Sequence, residues 1–231
     1  MKNKKPFSKL VCYSNPKSPI AEAYRTLRTN IRFSTPDLRT MIITSAQPGE
    51  GKTTTISNLA IAFAQAGVNV LLIDGDMRKP TLHHVFRLQN ELGLSSLLNG
   101  QAELNEVIQP INVNRMDVIT AGPIPEAPTE LLSSERMRKF MYDVKFRYEL
   151  ILIDSPPLLP VADSQVLSSL VDGVLLVLRS GKVKVENAKK AKMLLDHVGA
   201  RIIGAVLNDM KMSKSTSAYY EYAAVGKGVD E

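Results

Sequence analysis

The stretch that most constrains this chain runs from Ser45 to Thr54, Ser-Ala-Gln-Pro-Gly-Glu-Gly-Lys-Thr-Thr. It follows the apolar run Met41-Ile42-Ile43 and precedes Ile56, Leu59, Ala60 and Phe63, which recur at helical spacing. Strand, small-residue loop and helix in that order read as a phosphate-binding P-loop. Small residues let successive backbone N–H groups turn inward around a polyphosphate. The helix that begins there adds its unpaired donors and the positive end of its dipole. The expected nucleotide cradle is therefore Ala46, Gln47, Pro48, Gly49, Glu50, Gly51, Lys52, Thr53 and Thr54. Lys52 is expected against the β- and γ-phosphates, with the Thr53 hydroxyl on Mg²⁺. Ala46 stands where the usual pattern has its first glycine, and it is small enough for the loop to close. A polar strand-to-helix turn without a ligand is the bland alternative, and the flanking apolar pattern speaks against it.

At 231 residues the chain suits one sizeable α/β domain with a single core. Cys12 is its only cysteine, so no intrachain disulfide framework exists, which fits a reducing compartment. Apolar runs such as Val174 to Leu178 are far too short to cross a bilayer, and the Met-Lys-Asn-Lys-Lys-Pro start lacks the apolar stretch of a signal peptide. A cytoplasmic, soluble protein is the expectation. The net charge of +6 is unevenly placed: residues 1–40 hold nine Lys and Arg against two acids, a balance of +7, which leaves about −1 for the rest by subtraction. For Lys2, Lys4 and Lys5 a solvated arm is the simple reading; contact with an anionic membrane face or an acidic partner is the functional one. Nucleic acid is not expected as a partner, since the arm has no interleaved aromatics and no nucleic-acid motif.

Residues 1–18 read as a poorly ordered arm, with Pro6, Pro16 and Pro19 interrupting regular structure. A helical pattern then runs from Ile20 to about Phe33, and within it Glu22, Arg25 and Arg28 share one face. Glu22 and Arg25 can be an ordinary surface pair; the third charge is one more than that pairing needs. After the P-loop helix, Val68 to Ile73 reads as a buried parallel strand ending in Asp74-Gly-Asp76, followed by Met-Arg78-Lys79-Pro80. Ligands of open parallel sheets bind beyond the carboxyl ends of the strands, beside the P-loop. Two aspartates there are expected to handle Mg²⁺ and protons rather than merely cap a helix. The segment from Thr81 to Pro110 reads as short helices around Gly93 and Gly100. His83 and His84 lack partners at metal-ligand spacing and read as surface or core residues. A strand at Met116 to Thr120, a proline-rich loop and a helix from about Thr129 to Tyr148 come next. The run Leu150 to Ile153 closes on Asp154, the pattern of the second acidic strand of P-loop enzymes, whose carboxylate holds the metal. Helix 161–170, strand 173–178, helix 183–198 and strand 201–207 complete an alternation that implies a mostly parallel sheet covered by helices on both faces. Asn208 ends the last strand, where its amide can read an adenine edge or equally cap a turn. Beyond it, Lys211 to Gly228 is polar, glycine-bearing and aperiodic, a flexible tail by composition. It carries Tyr219, Tyr220 and Tyr222, which read as either a sticky terminal segment or a set of phospho-acceptors.

Together these pieces resemble the bacterial tyrosine kinases, in the form where the cytoplasmic kinase is a chain separate from its membrane activator. Four features carry the resemblance: Ala-Gln-Pro-Gly-Glu-Gly-Lys-Thr as Walker A, Leu-Leu-Ile-Asp74-Gly-Asp76-Met-Arg-Lys-Pro as Walker A′, Ile-Leu-Ile-Asp154-Ser-Pro-Pro as Walker B, and the tyrosine tail. The spacing of Glu22, Arg25 and Arg28 matches that family's oligomerisation motif. The resemblance divides the chain into an arm over 1–18, a P-loop kinase domain over 19–208 and a tyrosine-bearing tail over 209–231. It implies ATP- and Mg²⁺-dependent phosphorylation of protein tyrosine, including tail tyrosines of a neighbouring subunit in a ring. It also implies stimulation by the cytoplasmic tail of a transmembrane activator that recruits the chain to the inner membrane face. A cognate phosphotyrosine phosphatase and a role in capsular or exopolysaccharide production complete what it implies. Lys52 and the loop amides would neutralise phosphates, Thr53, Asp76 and Asp154 would hold Mg²⁺ directly or through water, and Asp74 would accept or orient the proton of the tyrosine hydroxyl.

Two other classes share these strands. Dimerising switch ATPases that position division or partition machinery resemble one another in a second lysine near the start of the P-loop; the aligned residue here is Gln47, followed by Pro48. A non-catalytic nucleotide-binding scaffold is the third class, and the full set of Lys52, Thr53, Asp74, Asp76 and Asp154 argues against it.

Overall fold

The computed structural model describes residues 10–210. In chain order the elements are α1 (Val11–Ser14), α2 (Pro19–Ser34), β1 (Thr40–Ser45), α3 (Lys52–Gln65), β2 (Val70–Asp74), α4 (Leu82–Phe86), α5 (Leu94–Asn99), α6 (Leu104–Val107), β3 (Ile108–Pro110), β4 (Met116–Ile119), α7 (Pro128–Ser133), α8 (Glu135–Val144), β5 (Leu150–Asp154), α9 (Asp163–Ser168), β6 (Gly173–Arg179), α10 (Val185–His197) and β7 (Ile202–Asn208). The continuous apolar runs become the central strands. Every residue of β1, β2 and β5 is buried, as strands covered on both faces require. The strand order is β3-β4-β2-β5-β1-β6-β7, parallel throughout except for β3 against β4.

Alternating strand side chains divide the core in two. Met41, Ile43, Val70, Leu72, Leu150 and Leu152 pack on one face against Leu59 and Phe63 of α3, with α1 and α2 outside them. Ile42, Leu71, Ile73, Ile151 and Ile153 pack on the other against Leu132 of α7, Phe140 of α8, Leu167 of α9 and Leu195 of α10. The register sets Asp74 beside Asp154 at the carboxyl ends of β2 and β5, with Ile43 next across the sheet. Among the described residues no helix is long and apolar enough to cross a membrane.

Three details differ from the sequence expectation. The free arm does not extend over residues 10–18: Leu10 and Cys12 are buried against α3, the Cys12 N–H donates to Asn58 Oδ1 at 3.0 Å, and Gln65 Nε2 donates to Cys12 O at 2.9 Å. Leu10-Val-Cys is too short to show periodicity, yet it covers apolar surface on the P-loop helix. Residue 18 acts as a cap instead, with Ser18 Oγ accepting from Ala21 N and Pro19 as the first helical residue. The helix expected over 129–148 is two, because Ser134 leaves the helical conformation and caps α8 by accepting from Met137 N. The short antiparallel β3 was hidden in the weakly patterned stretch before Pro110.

Candidate active site

The loop between β1 and α3 has the conformation an anion cradle needs. Gly49 and Gly51 adopt φ of +79° and +97°, whereas Ala46 does not enter the left-handed region, so a methyl group there costs no backbone strain. The loop carbonyls are held on the outside. Ser45 O accepts from Leu158 N at 2.8 Å, Ala46 O from Leu159 N at 3.2 Å, and Gln47 O from Ser45 Oγ at 2.7 Å. Glu50 O accepts from Asn208 Nδ2 at 2.9 Å and Gly51 O from Thr55 N at 2.9 Å. The N–H groups of the first turn of α3 have no intrahelical acceptor, which leaves them for a ligand. Glu50 is 4 % exposed; its carboxylate turns back to accept from Ala46 N at 3.1 Å. Burial pushes its carboxyl up, against the Gln47 and Ala46 amides that favour the charged form. It therefore braces the loop from within.

A cavity of about 480 Å³ opens over this loop, lined by Gly49, Gly51, Lys52, Thr53 and Thr54, by Asp76, Arg78, Lys79 and Thr81, and by Pro156, Pro157, Pro160 and Val161. At its base Thr53 Oγ1 donates to Asp154 Oδ2 at 2.5 Å and lies 3.1 Å from Thr81 Oγ1. Asp154 is 1 % exposed, and its second oxygen, Oδ1, is buried with no hydrogen-bond partner among the described residues. An unpaired carboxylate oxygen costs free energy unless a cation or proton meets it. Burial pushes the Asp154 carboxyl up to about 6, with Lys52 opposing. A hydroxyl and a carboxylate side by side, one oxygen still unsatisfied, suit Mg²⁺, which takes one or two protein oxygens and fills its shell with phosphate and water. Among the described residues no group of three or more His, Cys, Asp or Glu could hold a metal ion.

The two aspartates after β2 separate in role. Asp74 is fully buried: Oδ1 accepts from Asp76 N, and Oδ2 from Thr81 N and Leu82 N. Burial, and then the neighbouring Asp154, raise its carboxyl well above the ordinary range. Three backbone amides hold the Asp74 carboxylate, and it does not line the cavity that Asp76 lines. It ties the 75–82 loop to the sheet and aims Asp76 and Thr81 at the site. Asp76 does line the cavity, held by the Lys79 amide at 3.0 Å, and burial raises its carboxyl while Lys52 opposes.

Arg78 is committed elsewhere. Its guanidinium donates to both oxygens of the fully buried Asp163, at 2.8 and 3.2 Å, and to Thr129 Oγ1 at 3.0 Å, linking the site to α9 and α7. Thr81, Thr129 and Asp163 were missed because no local pattern marks them; only the fold brings them to the site. Asn208 lies on the outer side of the loop, its Nδ2 on Glu50 O. The rings of His83 and His84 lie against each other, centroids 3.8 Å apart and tilted by 43°. On α2, Arg25 pairs with Glu22 at 2.6 Å and donates to Pro16 O at 2.8 Å, and Arg28 donates to Ala62 O at 2.9 Å. Tyr219, Tyr220 and Tyr222 lie outside the described residues.

A parallel sheet with a P-loop after β1 and acid-ended strands β2 and β5 beside it defines a P-loop NTPase. In agreement, a family profile described as an AAA domain matches residues 38–199. The chain is 46% identical over 214 residues to the tyrosine-protein kinase YwqD of Bacillus subtilis, covering 91% of this chain and 90% of that protein. Its fold is similar to the crystal structure of the chimerical protein CapA2B2, with TM-score 0.86, 41% identity, and coverage of 89% of this chain and 91% of that one. The kinase domain of Escherichia coli tyrosine kinase ETK superposes with TM-score 0.83 at 36% identity, covering 88% and 82%. The chain belongs to the bacterial tyrosine kinases.

Proposed function

We propose that this chain transfers the γ-phosphoryl group of Mg-ATP to protein tyrosine. The observation that carries the reading is that Lys52, Thr53 and Asp76 line one cavity with Asp154 at its base, in a chain similar along nine tenths of its length to a tyrosine kinase. Lys52 and the loop amides hold the β- and γ-phosphates. Thr53, Asp76 and Asp154 would hold Mg²⁺, directly or through water. The ion, when bound, neutralises charge on the phosphate oxygens. The phenol proton is taken or oriented by the carboxylates at and after the end of β2, Asp74 at the strand end or Asp76 in the cavity lining. A phenol of pKa near 10 needs less help from a base than an aliphatic alcohol does. With Nδ2 on Glu50 O, the Asn208 side chain keeps its oxygen to accept from an adenine amino group.

The acceptors are Tyr219, Tyr220 and Tyr222, presented by a neighbouring subunit of a ring in which Glu22, Arg25 and Arg28 form the contact. A transmembrane activator recruits and stimulates the chain at the membrane, a phosphatase reverses the modification, and capsular or exopolysaccharide production is the process regulated. The family membership supports this part of the reading.

The test is a phosphotyrosine immunoblot with mass spectrometry after incubating the purified chain, with its activator's cytoplasmic segment, with ATP and Mg²⁺. Phosphate on the tail tyrosines that disappears in Lys52→Met, with the fold retained, is the expected result. Rapid phosphate release without phosphotyrosine would instead support a switch ATPase, and bound but unchanged nucleotide a scaffold.

A further inference from the structure

An anion cradle works only while the loop carbonyls stay turned away from the ligand, and each then needs a partner outside. Backbone, Ser45 and Asn208 supply most of these partners. The carbonyl of Gly49 is different, because among the described residues nothing beyond its chain neighbours lies within 4 Å of the position a Cβ would occupy there, so packing on that side does not fix it. Its partner is a long side chain from another element: Arg179 Nη1, at the end of β6, donates to Gly49 O at 3.3 Å. Arg179 is itself fixed. Its Nε and Nη2 both donate to Asp209 Oδ2, at 2.9 and 2.7 Å, and Asp209 follows β7 with a left-handed φ of +59°. One guanidinium therefore joins the end of β6, the residue after β7 and the tip of the loop.

We propose that Arg179, locked by Asp209, is a positioning residue for nucleotide binding, holding the Gly49 carbonyl out of the cradle before the phosphates arrive. This rests on the nucleotide reading above. A guanidinium fork serves carboxylate and carbonyl at once, whereas a lysine ammonium, a point charge on a flexible stem, does not hold both in a fixed geometry. Preorganisation of the loop strengthens substrate and transition-state binding alike, so its loss falls on KM and leaves kcat in place.

The experiment is calorimetric titration of the full chain with Mg-ADP, beside steady-state phosphotyrosine formation with varied ATP. Arg179→Ala should weaken Mg-ADP binding and raise the KM for ATP about fivefold, the scale of one charge-assisted hydrogen bond at a half-exposed site, with kcat kept within about a factor of two. Arg179→Lys should resemble Arg179→Ala. Asp209→Ala should weaken binding about two- to threefold, and the double variant should be no worse than Arg179→Ala, because the two act through one another. Wild-type affinity in Arg179→Ala would overturn the proposal. So would wild-type affinity in Arg179→Lys, which would make Arg179 a point charge attracting phosphate, or an affinity loss matched by a lower melting temperature without nucleotide. A wild-type chain that binds no Mg-ADP would refute the nucleotide reading itself, and the proposal with it.

Discussion

Gly51 is the residue at which loop, helix and last strand meet. Its φ of +97° lies where a Cβ is strained, and a Cβ added there would lie 2.0 Å from Asn208 Nδ2. Gly51→Ala should therefore cost about 1–2 kcal/mol in backbone conformation and push Asn208 off Glu50 O. Urea denaturation should show both parts: Gly51→Ala/Asn208→Ala recovers the overlap and not the conformational cost, so the pair should be non-additive. Strict additivity would mean that the two side chains do not compete. Most of the loop was legible at this scale, because small residues, a lysine and a hydroxyl at fixed spacing leave few alternatives. The directions of Glu50 and Asp74 were not. A motif gives spacing, and whether a carboxylate points to ligand or to backbone is decided by amides, here those of Ala46, Thr81 and Leu82, that lie elsewhere along the chain.

At the scale of elements, the central strands were legible because aliphatic runs of four or five residues closed by an acid have one good solution in an alternating chain. The edges were less so. β3 has three residues and α1 has four, so neither presents a period long enough to read, whereas the seven-residue β7 is legible over 201–207. What holds β1 against β6 at the sheet end opposite the site is also invisible in either segment alone. Asp172 Oδ2 accepts from Arg39 N at 3.1 Å and Thr40 N at 2.8 Å, while its own N–H donates to Thr40 Oγ1 at 2.9 Å. Burial pushes the Asp172 carboxyl up, but the bonds from the Thr40 side chain and the two amides outweigh it and leave the carboxyl below its ordinary value. A folded-state value below the unfolded one contributes stability above the unfolded pKa and loses it as the pH falls through the folded pKa. Asp172→Asn keeps the shape and removes the charge. It should cost about 1 kcal/mol at pH 7, after allowance for partial exposure, and the cost should fade as the pH drops below the ordinary aspartate value and through the lower folded-state one. Urea denaturation at pH 7, 5 and 3 reads this directly, and a loss independent of pH would assign the effect to geometry instead of charge.

At the scale of the whole molecule, α2 is where one chain would meet another. The helix buries Ala21 and Ile31, yet leaves Ile20 56 % and Phe33 82 % exposed, apolar area that a neighbour would cover. The spacing placed Glu22, Arg25 and Arg28 on one face, and all three are half-buried in the structure. What spacing did not carry is that each is already committed within the chain, Arg25 to Glu22 and Pro16, Arg28 to Ala62 on the P-loop helix. An interface must then use the remaining guanidinium donors, with the intrachain bonds fixing their direction. That arrangement separates two effects of Arg28→Ala. Losing the bond to Ala62 O should cost about 1 kcal/mol of fold stability, a shift of a few degrees in melting temperature at most. Losing an interface group should instead lower the mass measured by light scattering towards that of a single chain. A smaller assembly with a nearly unchanged melting temperature is the expected outcome. An unchanged mass would leave Glu22, Arg25 and Arg28 as braces between α2 and its surroundings, and the ring contact would have to be sought on another face.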